Sequence, residues 1–263
     1  MKNTLKKLKS NSEFVFQFAM DAFKTKYAGS GLGIAWAFLQ PIITMVLYWF
    51  VFELGFKSQP VDNFPFILWL MSGLIPWFFV SEAVTNATAS LIDYDYLVKK
   101  VVFNIRILPL AKVVSTLLVQ GALLIFMTIF FIALGYYPDF YWLQLPIYIA
   151  YMIILASAVS YITATLYVFF KDTVQVVGIV TQIIFWLTPI VWDFEQMPEA
   201  VRRVLVYNPV YYVITGYRNA LIYKQGFGQS LPMILYYWVI NIALLFLGLK
   251  LFDKCRDHFA DVL

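Results

Sequence analysis

Six apolar runs, each long enough to cross a lipid bilayer, occupy most of this chain, at residues 34–54, 65–89, 109–134, 145–170, 174–192 and 231–252. A spanning helix needs roughly 20 apolar residues, at about 1.5 Å each, to match a hydrocarbon core of about 30 Å. Inside that core every backbone N–H and C=O must be satisfied within the protein, and a continuous apolar run achieves this as a helix. The expected fold is therefore an all-α membrane protein of six transmembrane helices. An N-terminal amphipathic helix lies in the interface (10–27), and a re-entrant helical pair precedes the last span. The chain reads as one transmembrane unit, 1–263, with spans one to five in 34–192, an external segment at 193–230, the last span at 231–252 and a tail at 253–263. Charged residues make up only 13% of the chain, about half the share of a soluble domain, which excludes a soluble reading.

Six crossings put both ends on the same side. On that side fall Lys2, Lys6, Lys7, Lys9, Lys24 and Lys26, then Lys99, Lys100, Arg106 and Lys112, then Lys171, and finally Lys250, Lys254 and Arg256. The other side has Lys57, Arg202, Arg203, Arg218 and Lys224. Fourteen cations against five place both termini in the cytoplasm by the positive-inside rule. The basic residues sit beside apolar runs rather than in one patch, so nucleic-acid binding has no support. The lysines of the first ten residues are followed by no apolar core or cleavage site, and the N-terminus is expected to be retained.

Three connecting stretches are more than linkers. Before the first span, Phe14, Val15, Phe18, Ala19, Ala22 and Phe23 recur at helical spacing opposite Glu13, Gln17, Asp21 and Lys24. Ser10 and Glu13 fit a capping box at the start of that helix. It serves as an anchor in the interface or as a gating or docking element. Residues 92–108 mix Asp93, Asp95, Lys99, Lys100 and Arg106 with Tyr94, Tyr96, Leu97, Val101, Val102 and Phe103. A solvated loop needs no such apolar half, so a short helix that docks on a protein partner is expected. Asp93 and Asp95 also have the spacing of a two-carboxylate metal site, although the tripeptide is common by chance and no nucleotide-sugar fold surrounds it. In the external segment, 201–207 and 210–223 are apolar and aromatic, each too short to cross, and read as the re-entrant pair. Bent backbone at membrane depth is tolerated where it is buried in protein or lines a wet cavity, which makes this pair a pointer to a transport pathway.

The spans themselves are poor in ionisable groups, which disfavours an ion-driven transporter. Glu82 is the main exception, as a pathway residue, the partner of a cation from a basic loop, or an interfacial glutamate. Ala156, Ser157, Ser160, Thr163 and Ala164 suit close helix packing, and Pro41, Pro76 and Pro189 should kink their helices. Aromatic residues make up 19% of the chain, more than interfacial belts require. Their flat faces could hold a sliding glycan weakly at many points; Trp36, Trp77, Phe78, Trp186, Tyr211 and Tyr212 are the candidates for a channel or its exit.

No nucleotide-hydrolysing motif is present. Gly29-Ser30-Gly31-Leu32-Gly33 lacks the lysine of a phosphate loop and follows no strand; its glycines suit a turn from the interface helix into the first span. No nucleophile elbow or zinc signature occurs, and the single Cys255 and His258 exclude a disulfide framework or Cys/His metal site within one chain. An energy source must then come from another chain. A membrane transferase working through Asp93, Asp95 or Glu82 is the alternative of another class.

Several segments, in order, resemble the transmembrane subunit of bacterial ABC exporters of lipid-linked polysaccharides, the O-antigen and teichoic acid exporter family. They are Tyr27-Ala28-Gly29-Ser30-Gly31-Leu32-Gly33 with Trp36 and Pro41; Gly73-Leu74-Ile75-Pro76-Trp77-Phe78; 99–109, with Asn104 where a proline is usual; Phe170-Lys171-Asp172; Thr188-Pro189-Ile190; and Tyr207-Asn208-Pro209-Val210-Tyr211. The 46–52 and 256–261 stretches are most similar to the Gram-positive teichoic acid permeases. The resemblance implies a homodimer in the cytoplasmic membrane, partnered by two copies of a separate ABC ATPase. That ATPase, not this chain, would bind ATP and Mg2+, and a polyprenyl-diphosphate-linked polymer would be exported. It further implies ATPase coupling through Asp93, Tyr94, Asp95, Tyr96, Lys99, Lys100 and Arg106, together with the interface helix. Lys24, Lys26 and Tyr27 would lie where the lipid's diphosphate is met, although the two lysines are equally accounted for as positive-inside residues.

Overall fold

A computed structural model describes residues 2–56, 64–99, 104–227 and 230–263, with side chains from residue 13 onward. It is all helical, with no β-strand among the described residues. Helix α1 (Lys2–Tyr27) leads through a turn into α2 (Trp36–Trp49), whose end widens into a π-helical turn, Phe50–Gly55. Then follow α3 (Phe66–Thr88), two single-turn helices, α4 (Ser90–Asp93) and α5 (Asp95–Val98), and α6 (Ile107–Ala133). The second half contains α7 (Leu145–Phe169), α8 (Thr173–Leu187), α9 (Glu199–Leu205), α10 (Pro209–Arg218), α11 (Leu231–Cys255) and α12 (Phe259–Val262).

Five segments are long and apolar enough to cross a bilayer: Gly33–Gly55, Phe66–Thr88, Ile107–Ala133, Phe140–Phe169 and Leu231–Val262. The fifth expected span differs. Residues 174–192 do not form one helix, because α8 stops at Leu187 after 15 residues, about 22 Å of length. Thr188 is extended, and turns and bends carry the chain on to Trp192. The six-span count is therefore not reproduced by helix length alone. Hydropathy reads side chains, and it runs on through Pro189-Ile190-Val191-Trp192 where the backbone has left the helix.

Helix α3 is the axis of the bundle. Its residues from Leu68 to Trp77 are all buried, and it packs against α6, α7, α8 and α10. The first span is the opposite, with almost all of its length outside the core. Helix α1 starts at Lys2, eight residues before the capping box expected at Ser10 and Glu13, so Ser10 lies inside the helix and does not cap it. Ala19 and Ala22 are buried and α1 packs on α6, so part of its apolar face meets protein rather than lipid. The turn after Tyr27 needs its glycines, since Gly29 has φ +83° and Gly33 φ +53°, a region costly for other residues.

The small residues of α7 do allow close packing. A Cβ on Gly248 of α11 would lie 2.7 Å from the carbonyl oxygen of Ala158. The Thr163 and Thr88 hydroxyls, 2.7 Å apart, join α7 to α3. Gly248→Val is expected to cost about 1–3 kcal/mol through overpacking. The loss should appear as a lower midpoint of thermal aggregation in detergent.

Candidate functional site

Two adjoining cavities form a groove along α2, α3 and α8. The first, of about 330 Å³, is lined by Lys26, Tyr27, Trp36, Ala37, Gln40, Pro41, Thr44, Phe78, Ser81, Glu82, Thr85 and Asn86. The second, of about 410 Å³, is lined by Thr44, Tyr48, Trp77, Phe78, Ser81, Thr181, Gln182, Phe185 and Trp186. They share Thr44, Phe78 and Ser81, so the two form one path that runs away from the end of α1.

The lining follows from helix periodicity. Trp36, Gln40, Thr44 and Tyr48 are four residues apart on α2. On α3 the same spacing gives Trp77, Ser81 and Thr85, and beside them Phe78, Glu82 and Asn86. Residues four apart share a helix face, so each helix offers a stripe in which polar side chains follow a ring: an amide and a hydroxyl between Trp36 and Tyr48 on α2, and hydroxyls, a carboxylate and an amide after Trp77 and Phe78 on α3. The hydroxyls of Thr44, Ser81 and Thr85 donate to carbonyls of their own helices at 2.8–2.9 Å, which leaves their oxygens as acceptors along the groove. Gln40, Thr44, Ser81, Thr181 and Gln182 were not among the sequence candidates, yet the spacing of four was the signal that could have found them.

At the mouth, Lys26 Nζ lies 2.5 Å from Glu82 Oε1, and Asn86 Nδ2 is 3.5 Å from the same oxygen. Glu82 thus lines the cavity and pairs with a cation, which comes from α1 rather than from a basic loop. Lys26 also stands 5.4 Å from the centre of the Tyr27 ring. Burial first, and then Glu82, push the Tyr27 hydroxyl above its ordinary pKa, so it remains a neutral donor. Of the residues expected at the head-group site, Lys26 and Tyr27 line the groove, whereas Lys24 is exposed on α1 and is not part of the lining. Trp36, Trp77, Phe78 and Trp186 also line it.

Tyr211 and Tyr212 do not. They lie in the core, where Tyr212 packs 5.0 Å from Tyr151 and 4.7 Å from Tyr237, ring to ring. The expected re-entrant pair is correspondingly unequal. In α9 no residue is buried, and its Arg202 and Arg203 pair with Glu195 and Glu199. In α10 eight of ten residues are buried. What α10 carries inward is Arg218, a residue sequence reasoning counted only as an external cation. It is 5% exposed, and its two terminal nitrogens donate to the carbonyls of Pro189 at 2.6 Å and Ile190 at 2.8 Å. Its guanidinium sits 3.5 Å from the centre of the Trp69 ring. Those carbonyls belong to the break after α8, which Asn208 also holds by donating to the Thr188 hydroxyl at 2.7 Å. Gly73 makes room, since a Cβ there would meet Ile190 O at 2.9 Å and Arg218 at 3.0 Å. Three of the segments that carried the resemblance, around Gly73, Thr188 and Asn208, thus converge on one clamp.

At the opposite end of the bundle, residues 92–98 are two single-turn helices rather than one, broken at Tyr94. Asp93 and Asp95 do not form a joint metal site. Lys112 holds Asp93 at 2.8 Å and Lys99 holds Asp95 at 3.5 Å. Tyr94 packs against Phe18 of α1, 4.8 Å between ring centres, under Lys112. Burial, followed by Asp93, raises the pKa of its hydroxyl. Tyr96 is 55% exposed. Lys100 and residues 101–103 lie outside the described residues. Asn104 accepts from the N–H of Arg106 at 3.3 Å, an Asx-type bend in the place where a proline is usual.

A polar and aromatic groove in an all-helical bundle with five helices long and apolar enough to cross a membrane fits a transport component. The chain belongs to the ABC-2 type transporter family, whose description matches residues 14–222. It is similar to the O-antigen export system permease protein RfbA of Klebsiella pneumoniae, with 28% identity over 98% of this chain and 99% of the relative. The Myxococcus xanthus protein of the same name is 28% identical over 90% of each chain. The polysialic acid transport protein KpsM of Escherichia coli is 23% identical over 87% of this chain and 88% of that protein.

Proposed function

We propose that this chain is the permease subunit of an ATP-driven exporter of a polyprenyl-diphosphate-linked cell-surface polymer, acting across the cytoplasmic membrane with both termini inside. The observation that carries this reading is the groove, in which aromatic rings stand among hydroxyl and amide groups over the length of two cavities. Such a surface offers a sugar chain stacking and hydrogen bonds at every step and no deep well, as sliding requires. Lys26 and Tyr27 at its mouth meet the diphosphate of the lipid. Helix α8, the protein-buried residues 188–191 and the half-buried Trp192 together complete a sixth crossing.

The groove is open on one side, flanked by the exposed apolar faces of α2 (Leu39, Ile43, Leu47) and α8 (Ile179, Ile183). A second copy closes it, and two copies of an ABC ATPase drive the dimer through residues 92–108 and α1. Wall teichoic acid is the cargo that the 46–52 and 256–261 stretches favour. A second reading, O-antigen or capsular glycan, is supported by the names of the relatives and by a lining whose only ions, Lys26 and Glu82, neutralise each other.

The test is ATP hydrolysis in nanodiscs by the complex with its cognate ATPase, beside a complex in which residues 92–108 are scrambled. Hydrolysis and co-purification of the ATPase are expected to be lost in the scrambled form. If the chain purifies alone and modifies a lipid-linked acceptor without any ATPase, the exporter reading fails in favour of a transferase. Export of teichoic acid or of a neutral glycan by the intact complex decides the cargo.

A further inference from the structure

The coupling segment rests on something the sequence presents only as a tail. Buried apolar residues at this end form a cluster separate from the main core, made of Leu91 of α4, Val98 of α5, Leu108 of α6, Tyr161 and Val168 of α7, and Phe252 and Phe259. Phe259 is fully buried, its ring 5.3 Å from that of Phe252 and 6.0 Å from that of Phe169. Helix α12, which it opens, touches both α5 and α7. A second tie runs alongside. Arg106, the last residue before α6, reaches both carboxylate oxygens of Asp253 on α11, Nε to Oδ1 at 2.7 Å and a terminal nitrogen to Oδ2 at 2.5 Å. The Arg106 carbonyl accepts from the Tyr161 hydroxyl of α7 at 2.9 Å.

We propose that Asp253 and Phe259 are positioning residues for ATPase coupling: they hold the coupling segment to α7 and α11 and pass its displacement to the bundle. Because this cluster is separate from the main core, a push on α5 is received by Phe259 and Val98 before it reaches α3. The two-point geometry at Asp253 fixes the direction of Arg106 as well as its distance, as paired guanidinium–carboxylate bonds do. The alternative is that the tail merely covers apolar surface. The proposal rests on the reading that the ATPase docks on residues 92–108.

The experiment measures polymer exported per ATP hydrolysed by the reconstituted permease–ATPase complex. Phe259→Ala and Asp253→Asn should keep the ATPase bound and hydrolysing, while the ratio falls by about fivefold or more, the low end for coupled sites. Phe259→Leu should restore most of the ratio. The exchange of Arg106→Asp with Asp253→Arg should recover what either change alone loses. A ratio unchanged in both Phe259→Ala and Asp253→Asn overturns the proposal, as does an exchange that rescues nothing. If Phe259→Ala does not accumulate, Asp253→Asn and the exchange decide. Retention of the ATPase by the scrambled 92–108 form would instead sink the docking reading, a separate outcome read from co-purification.

Discussion

Arg218→Met is expected to remove about 2–6 kcal/mol of stability, since it leaves two buried carbonyls without donors at about 1–3 kcal/mol each. Methionine keeps much of the side-chain volume, so packing contributes little to the loss. The wild-type arrangement is costly on its own account, because a cation is buried with no ion pair among the described residues. Two charge-assisted hydrogen bonds and the face of Trp69 offset that cost. Where the chain breaks after Leu187, the carbonyls of Pro189 and Ile190 have no helical donor, and hydrocarbon supplies none. Arg218→Lys keeps the charge but has a single nitrogen for two acceptors, and should fall between. Thermal stability of the detergent-solubilised protein, read by size exclusion, checks the order wild type, Lys, Met. A Met variant as stable as wild type would show that the clamp does not hold the break.

Ser81→Trp is expected to cut polymer export by about tenfold or more, the equivalent of ~1.4 kcal/mol on the barrier to passage, with the ATPase still assembled. Ser81 is half-buried on α3 and lines both cavities together with Thr44 and Phe78, so an indole there narrows the place where they meet. Ser81→Ala removes a hydroxyl that donates to Trp77 of its own helix and should leave export nearly intact. Export from inverted vesicles, measured with both variants at matched ATPase content, separates obstruction from misfolding. Unimpeded export by the Trp variant would mean that polymer travels elsewhere.

Much of the architecture was legible in the sequence, because long apolar runs leave the backbone little choice but helix. What escaped depends on contacts between elements. The polar and charged residues of 2–9 gave no sign that α1 begins at Lys2, since lysine and leucine continue a helix as readily as they precede one. Val201–Tyr207 and Val210–Tyr223 look alike in composition, yet only the second is buried, a difference set by what α3 and α7 present to it. Arg218 was visible only as a charge, since nothing local distinguishes a loop cation from one clamped over Trp69. The groove was half legible. Its rings were chosen one at a time as bulky aromatics, whereas the polar residues between them follow a spacing of four that was searched for only in amphipathic stretches. The apolar half of residues 92–98 was legible as surface that needs cover, although its cover by this chain's own Phe18 and by the cluster around Phe259 was not.

The shortness of α8 has a consequence for the surrounding lipid. A helix of 15 residues presents about 22 Å of apolar length against a hydrocarbon thickness of about 30 Å. Its outer face, Val176, Ile179, Val180, Ile183 and Leu187, is exposed. Wherever that face meets lipid rather than a second copy, acyl chains must shorten to avoid stranding apolar surface in water, which would thin the bilayer beside the groove. On the proposed export of a lipid-linked polymer, cargo leaving there would have the shortest distance of oil to cross.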